Sequence, residues 1–187
     1  MNRVRNYLSA ALICAPLAYA HAQYTIQPEE GYTPQIGMMV DMLEELKDRI
    51  SESVKDLDQD QADYLFDETA NSIGAMIMHL AATEDYTQVE TLEERSWTDE
   101  ETLFWSAAGG LGDASRENLN GKPISYYLEQ WDQVREKTLA GLKKRDDAWF
   151  ASNIDESMNI HWAWFHILEH MANHMGQIEL VKQRLPE

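Results

Sequence analysis

The chain of 187 residues has a single cysteine, Cys14. It lies in an N-terminal segment that reads as a cleavable export signal, so the mature protein is expected to hold no thiol. That excludes disulfides, a cysteine nucleophile, thiolate metal sites and covalent haem attachment through Cys-x-x-Cys-His. Glycine and proline are scarce, at nine and five, which leaves room for long uninterrupted helices. Positive charge is the third shortage. Fifteen Lys and Arg stand against 33 Asp and Glu, for a net charge of −18. Such a surface repels nucleic acid and anionic lipid, and neither is expected as a partner. There is also no alternating strand pattern, internal repeat or low-complexity tract. With 44% hydrophobic residues, the chain can build one domain with a substantial core.

Arg3 and Arg5 precede an apolar run from Tyr7 to about Leu17, and Ala18, Ala20 and Ala22 supply a signal-peptidase site with cleavage before Gln23. The run is shorter than the roughly 20 residues of a spanning helix, so no stable membrane anchor is expected. Leu12 and Ile13 before Cys14 do not suit a lipoprotein signal. The expected organisation is a signal peptide over 1–22, a linker over 23–32 and one all-α domain over 33–187. The product would be periplasmic or secreted. Cleavage removes two arginines and no acid, which takes the charge from −18 to −20.

Four long helical segments stand out. Thr33 and Pro34 open the first as N-cap and first-turn proline. Ile36, Met39, Leu43, Leu46, Ile50, Val54 and Leu57 then mark its buried face by steps of three and four. A polar connection runs from Asp58 to about Thr69. Asn71 or Ser72 caps the second helix, which continues through Met76, His79 and Tyr86 towards Glu94. Trp97 to Ala108 reads as a short extra helix, and 109–122 as an irregular loop. Pro123 starts the third long helix, and Asp155 or Ser157 begins the fourth, which ends near Arg184. Such a pattern predicts an antiparallel or crossover four-helix bundle.

Four histidines crowd that last helix: His161, His166, His170 and His174. His170 and His174 are one turn apart and can reach the same ion. Relative to the apolar arc of Ile160, Ile167, Met171, Ile178 and Leu185, His174 projects about 40° aside, His170 about 80° and His166 about 120°. A lone His-x-x-x-His is a weak signal, since single core histidines often bond a carbonyl or carboxylate. His79 adds to it. Ser72, Ala75, Thr83 and Tyr86 flank it, small or hydroxyl-bearing side chains that leave space beside an imidazole. Three histidines and an open position would make a catalytic rather than a structural metal site. No histidine follows a glutamate by three residues, so the Glu-x-x-His pairs of di-iron bundles are absent. His170-Met171-Ala172-Asn173-His174 lacks the glutamate of a His-Glu-x-x-His protease.

The segments Asn71-Ser72-Ile73-Gly74-Ala75-Met76-Ile77-Met78-His79-Leu80-Ala81-Ala82-Thr83-Glu84 and His166-Ile167-Leu168-Glu169-His170-Met171-Ala172-Asn173-His174-Met175-Gly176-Gln177-Ile178 resemble the DinB-like superfamily, over about Thr33 to Leu185. That superfamily includes S-transferases dependent on mycothiol or bacillithiol. The resemblance implies a four-helix bundle with one metal, zinc or nickel, at His79, His170 and His174. It also implies a homodimer as the common assembly, and a metal that activates a thiol. The reaction to be expected is a hydrolase or transferase step on an unidentified small molecule.

Several residues carry secondary roles in this reading. Glu84 and Tyr86 are candidate catalytic groups, weighed against a salt bridge and a core tyrosine. His166 is a candidate supporting residue or alternative ligand. His161, Trp162 and Trp164 are placed at the pocket mouth or in the core. Gly176 is read as a close helix approach, and Gln177 as a partner for an imidazole or for backbone. Nine methionines, with Met38, Met39 and Met42 on the first helix and Met171 and Met175 among the histidines, support an alternative: a non-catalytic copper- or haem-binding bundle. More often, methionine is simply core filler.

Overall fold

The computed structural model describes residues 25–186. The expected signal peptide, with its expected cleavage before Gln23, lies outside them. The described residues form eight helices and no strand. Four are long: α1 (Pro34–Val54), α3 (Ile73–Leu92), α6 (Ile124–Leu142) and α8 (Ile160–Lys182). Four are short: α2 (Gln59–Asp63), α4 (Asp99–Trp105), α5 (Asp113–Asn118) and α7 (Asp147–Phe150). The sequence pattern misses α2, α5 and α7, because helices of four to six residues are too short to show a period.

The main packing runs from α3 to α6 and α8, and from α1 to α8 and α6. This puts α1 diagonal to α3 across a shared core. Helix α3 is the most deeply set, buried over most of its length. A helix apolar on nearly every side has to lie inside, which is why its sequence lacks the one-sided pattern of α1. Its glycine shows how tight the packing is. A Cβ added at Gly74 would stand 2.5 Å from the buried Tyr127 ring of α6.

Capping differs from expectation at two ends. Thr33 is the N-cap of α1 but makes no cap bond with its side chain. Asp147 Oδ1 of α7 does so instead, accepting from Thr33 Oγ1 and from the Gln35 and Ile36 amides. Helix α8 begins later than Asp155 or Ser157. Its N-cap is Asn159, which accepts from the Trp162 amide, while Asp155 folds a local turn by accepting from Ser157 and Met158.

Arg135 of α6 ties the four long helices together. It gives Nε and Nη2 to the two oxygens of Glu84 in α3, at 2.7 and 2.8 Å, and Nη1 to Glu44 in α1 at 2.7 Å. Nη2 also lies 3.7 Å from Met171 Sδ in α8. Trp131 Nε1 donates to Glu84 at 2.9 Å. Burial alone would raise the Glu84 pKa, but the charge and hydrogen bonds of Arg135 outweigh it and hold it low.

Candidate metal centre

His79 of α3 meets His170 and His174 of α8, and these three form the one group of possible metal ligands among the described residues, with donor atoms all within 4.8 Å. The graded tilt of the α8 histidines appears as graded exposure. His174 is buried, His170 half-buried and His166 exposed. Ring centroids are 4.9 Å apart for His79–His170, 5.0 Å for His79–His174 and 4.5 Å for His170–His174.

The tautomer of His79 is fixed by its partner. Its Nδ1 lies 2.7 Å from the Ala108 carbonyl, which can only accept, so Nδ1 carries the proton. Its Nε2 lone pair is then directed at His170 Nε2, 3.0 Å away. A carbonyl behind a ligand histidine is the usual device for orienting it towards an ion. His174 Nδ1 is buried and has no hydrogen-bond partner. Desolvation, then the charges of neighbouring histidines, push His170 down to about 4; the same two causes, with His79 as the neighbour, push His174 down to about 4. His79 is lowered as well, by desolvation, which the Ala108 bond opposes. All three imidazoles are therefore neutral near pH 7, the form that binds metal.

These features fit a divalent ion. Nitrogen ligands of a tetrahedral site lie about 3.3 Å apart, close to the 3.0 Å separation seen here within the 4.8 Å spread. An ion would also answer the need of buried imidazoles with too few partners.

A family model described as mycothiol-S-transferase matches residues 38–186. The chain belongs to that family. It thereby falls within the DinB-like superfamily, whose members are metal-dependent, and the three histidines here can hold an ion. No curated protein matches the chain.

Beside the centre, α3, the turn after α4 and the first half of α8 line an open cavity of about 420 Å³ that reaches His170. Tyr86 and Trp162 line it, each about half exposed. His166 is at its rim, stacked on Trp162 at 5.2 Å and bonded to Glu169 at 2.9 Å, outside the three-histidine group.

Other candidates are placed elsewhere. Glu84 is fully buried, bonded to Arg135 and Trp131, and does not line the cavity. Trp164 is wholly in the core, and His161 stacks on Phe150 at 4.4 Å, away from the cavity lining. Gly176 has nothing within 4 Å of an added Cβ, so no helix approaches there. The Gln177 amide donates to Asn173. Met39 and Met171 are core residues.

Two participants have little or no sequence signal. The Ala108 carbonyl has none, since any residue offers one. Asp85 had a faint one, an acid inside a helix otherwise buried. Its Oδ2 accepts from Trp97 Nε1 at 2.8 Å and Trp105 Nε1 at 2.9 Å. These bonds fasten the segment that ends in Ala108 onto α3.

Proposed function

We propose that this protein is a metal-dependent S-transferase in which His79, His170 and His174 hold one divalent ion, zinc or nickel. The single observation that carries this reading is the His79 imidazole. Ala108 fixes it as a donor at Nδ1, so that its Nε2 lone pair faces the two histidines of α8. Membership of the mycothiol-S-transferase family supports a thiol as the group acted upon. A bound divalent ion would acidify a thiol or water held beside it, which makes transfer and hydrolysis the two accessible reaction types. The chain's own residues do the rest. Three neutral imidazoles provide the donors, and Ala108 orients one of them. The apolar walls beside His170 keep water from a reactant, and Tyr86 is the nearby hydroxyl able to hold a polar group of it.

The copper or haem carrier has less support, because Met39 and Met171 are spent in the core, Met171 against Arg135. Export through residues 1–22 belongs to the same reading. A chain recovered from an exporting host should begin at Gln23, and recovery of a chain still beginning at Met1 would refute it.

Metal analysis of purified protein never exposed to chelator tests the centre, with His79→Ala and His174→Ala beside the unaltered chain. Zinc or nickel should be present at one ion per chain and absent from both variants. A metal-free unaltered protein, or metal retained by both variants, would overturn the proposal.

A further inference from the structure

The cavity beside His170 limits what can approach the centre. Its walls hold two aromatic pairs. Tyr86 and Trp97 meet edge to face at 5.1 Å and 85°. Trp162 and His166 lie nearly parallel, at 5.2 Å and 8°. All four rings line the same space, and His170 borders it as well as the histidine centre.

Besides the rings, its polar side chains are the Thr83 and Thr87 hydroxyls and Glu90. Among the described residues no lysine or arginine lines the cavity, and Glu90 contributes a carboxylate. The Thr83 hydroxyl is already spent on the His79 and Leu80 carbonyls of its own helix. The whole chain carries −18, so the field outside repeats the sign within. Away from the ion proposed at the His170 end, a carboxylate or phosphate held between these walls would lose its hydration and gain no cationic side chain in exchange, a combination that is disfavoured. An aromatic ring would be accepted on every side, by edge or face contacts with the walls. A cationic group near the ring would meet Glu90 and the indole faces.

We infer that the reactant occupying this cavity is a non-anionic aromatic small molecule, seated between the Tyr86–Trp97 and Trp162–His166 pairs with its reactive atom towards His170. The inference rests on the proposed S-transferase centre for what happens at that atom, but not for the class of molecule bound.

Two thiols that differ only at the far end of the same two-carbon chain provide the test on the cobalt(II)-loaded full chain: 2-phenylethanethiol, which ends in a neutral ring, and 2-mercaptoethanesulfonate, which ends in an anion that is a poor metal ligand. Thiolate-to-cobalt absorption reports ligation of either. Phenylethanethiol should bind at least about tenfold more tightly, and Glu90→Lys should shrink that ratio several-fold. Trp162→Ala should weaken phenylethanethiol and leave mercaptoethanesulfonate unchanged. Equal affinity, or preference for mercaptoethanesulfonate, would overturn the inference.

A third arm separates it from the metal reading. In metal-free protein, 2-phenylethanol should still quench tryptophan fluorescence saturably, and Trp162→Ala should weaken that binding. If cobalt fails to bind while this arm succeeds, the metal centre is wrong and the cavity's class stands. If cobalt and thiols bind but phenylethanol does not, the class is wrong and the centre stands.

Discussion

Five positions apart on α3, His79 and Glu84 are both buried and both meet polar side chains from another helix, yet they end in opposite conditions. Glu84 is saturated: both oxygens accept from Arg135, and one also from Trp131. The histidine group is not. Two ring nitrogens face one another at 3.0 Å, and His174 Nδ1 has no partner. Complete pairing marks a group that holds helices together, whereas three imidazoles this close, with one buried nitrogen unpartnered, make a donor set that can take up an ion. Both are buried polar clusters, and burial alone would not tell them apart.

The largest expected effect lies on the saturated side. Arg135→Met leaves Glu84 charged and alone in the core, and should cost about 3–5 kcal/mol of stability in chemical denaturation. Adding Glu84→Leu should restore much of that loss, because an apolar pair removes the stranded charge. Where the variants fold, metal content should remain at the level of the unaltered chain. Metal lost from the stable double variant would mean that the two clusters are one functional unit.

Acid should separate the regions next. An unfolded imidazole titrates near 6.5, whereas His170 and His174 are pushed down to about 4 in the fold. Below pH 6.5 the unfolded metal-free chain takes up protons that the folded one refuses, so stability should fall as pH drops from 6.5 to 4. The loss should be on the order of 3 kcal/mol, with the neighbouring rings titrating together. Glu84 works in a lower window. Its folded pKa is depressed, so its contribution is complete above the ordinary carboxylate range and is lost only in stronger acid. Melting curves of metal-free protein from pH 7.5 to 3 should show both stages, and His170→Gln with His174→Gln should flatten the first alone. A first stage that persists in this variant would assign it to other groups.

Asp85 stands between the two conditions, buried yet bonded to only two indoles. Asp85→Ala should cost about 1–3 kcal/mol. It should also weaken metal about 10–100-fold, the usual effect of disturbing a group behind a ligand. The route is mechanical: Trp97 and Trp105 loosen, and the Ala108 carbonyl no longer holds His79. Asp85→Asn keeps an acceptor oxygen and should rescue most of the affinity, as read by competition with a zinc chelator. Unchanged affinity in Asp85→Ala would show that Ala108 is positioned without it.

The sequence was legible where a feature repeats or is rare. The long helices follow from apolar steps such as Ile36, Met39 and Leu43, and His79, His170 and His174 stand out because so few other metal-binding side chains lie on inner faces. What stayed hidden depends on contacts between distant segments. Glu84 looked like a candidate base, since its partner Arg135 is 51 positions away. Asp147 caps a helix from 114 positions downstream of Thr33. The Ala108 carbonyl has no side-chain signature at all.

The smallest expected effect concerns packing beside the two clusters. Gly74, where α3 meets α6, has no room for a methyl group, whereas Gly176 on α8, two residues past His174, faces open space. Gly74→Ala must displace the Tyr127 ring and should cost about 1–3 kcal/mol. Gly176→Ala meets nothing and gains helix propensity, so it should stabilise by about 0.5–1 kcal/mol. That corresponds to a rise in Tm of about 1–4 °C for a chain of this size. Glycine at an exposed position in a helix interior is otherwise a needless weakness, so the same variant also questions the site. Full metal content at the higher Tm would show that Gly176 plays no part in it. Loss of metal, with stability raised, would mean that the open face of α8 beside His174 belongs to the centre and that the unsaturated region extends further than its three histidines.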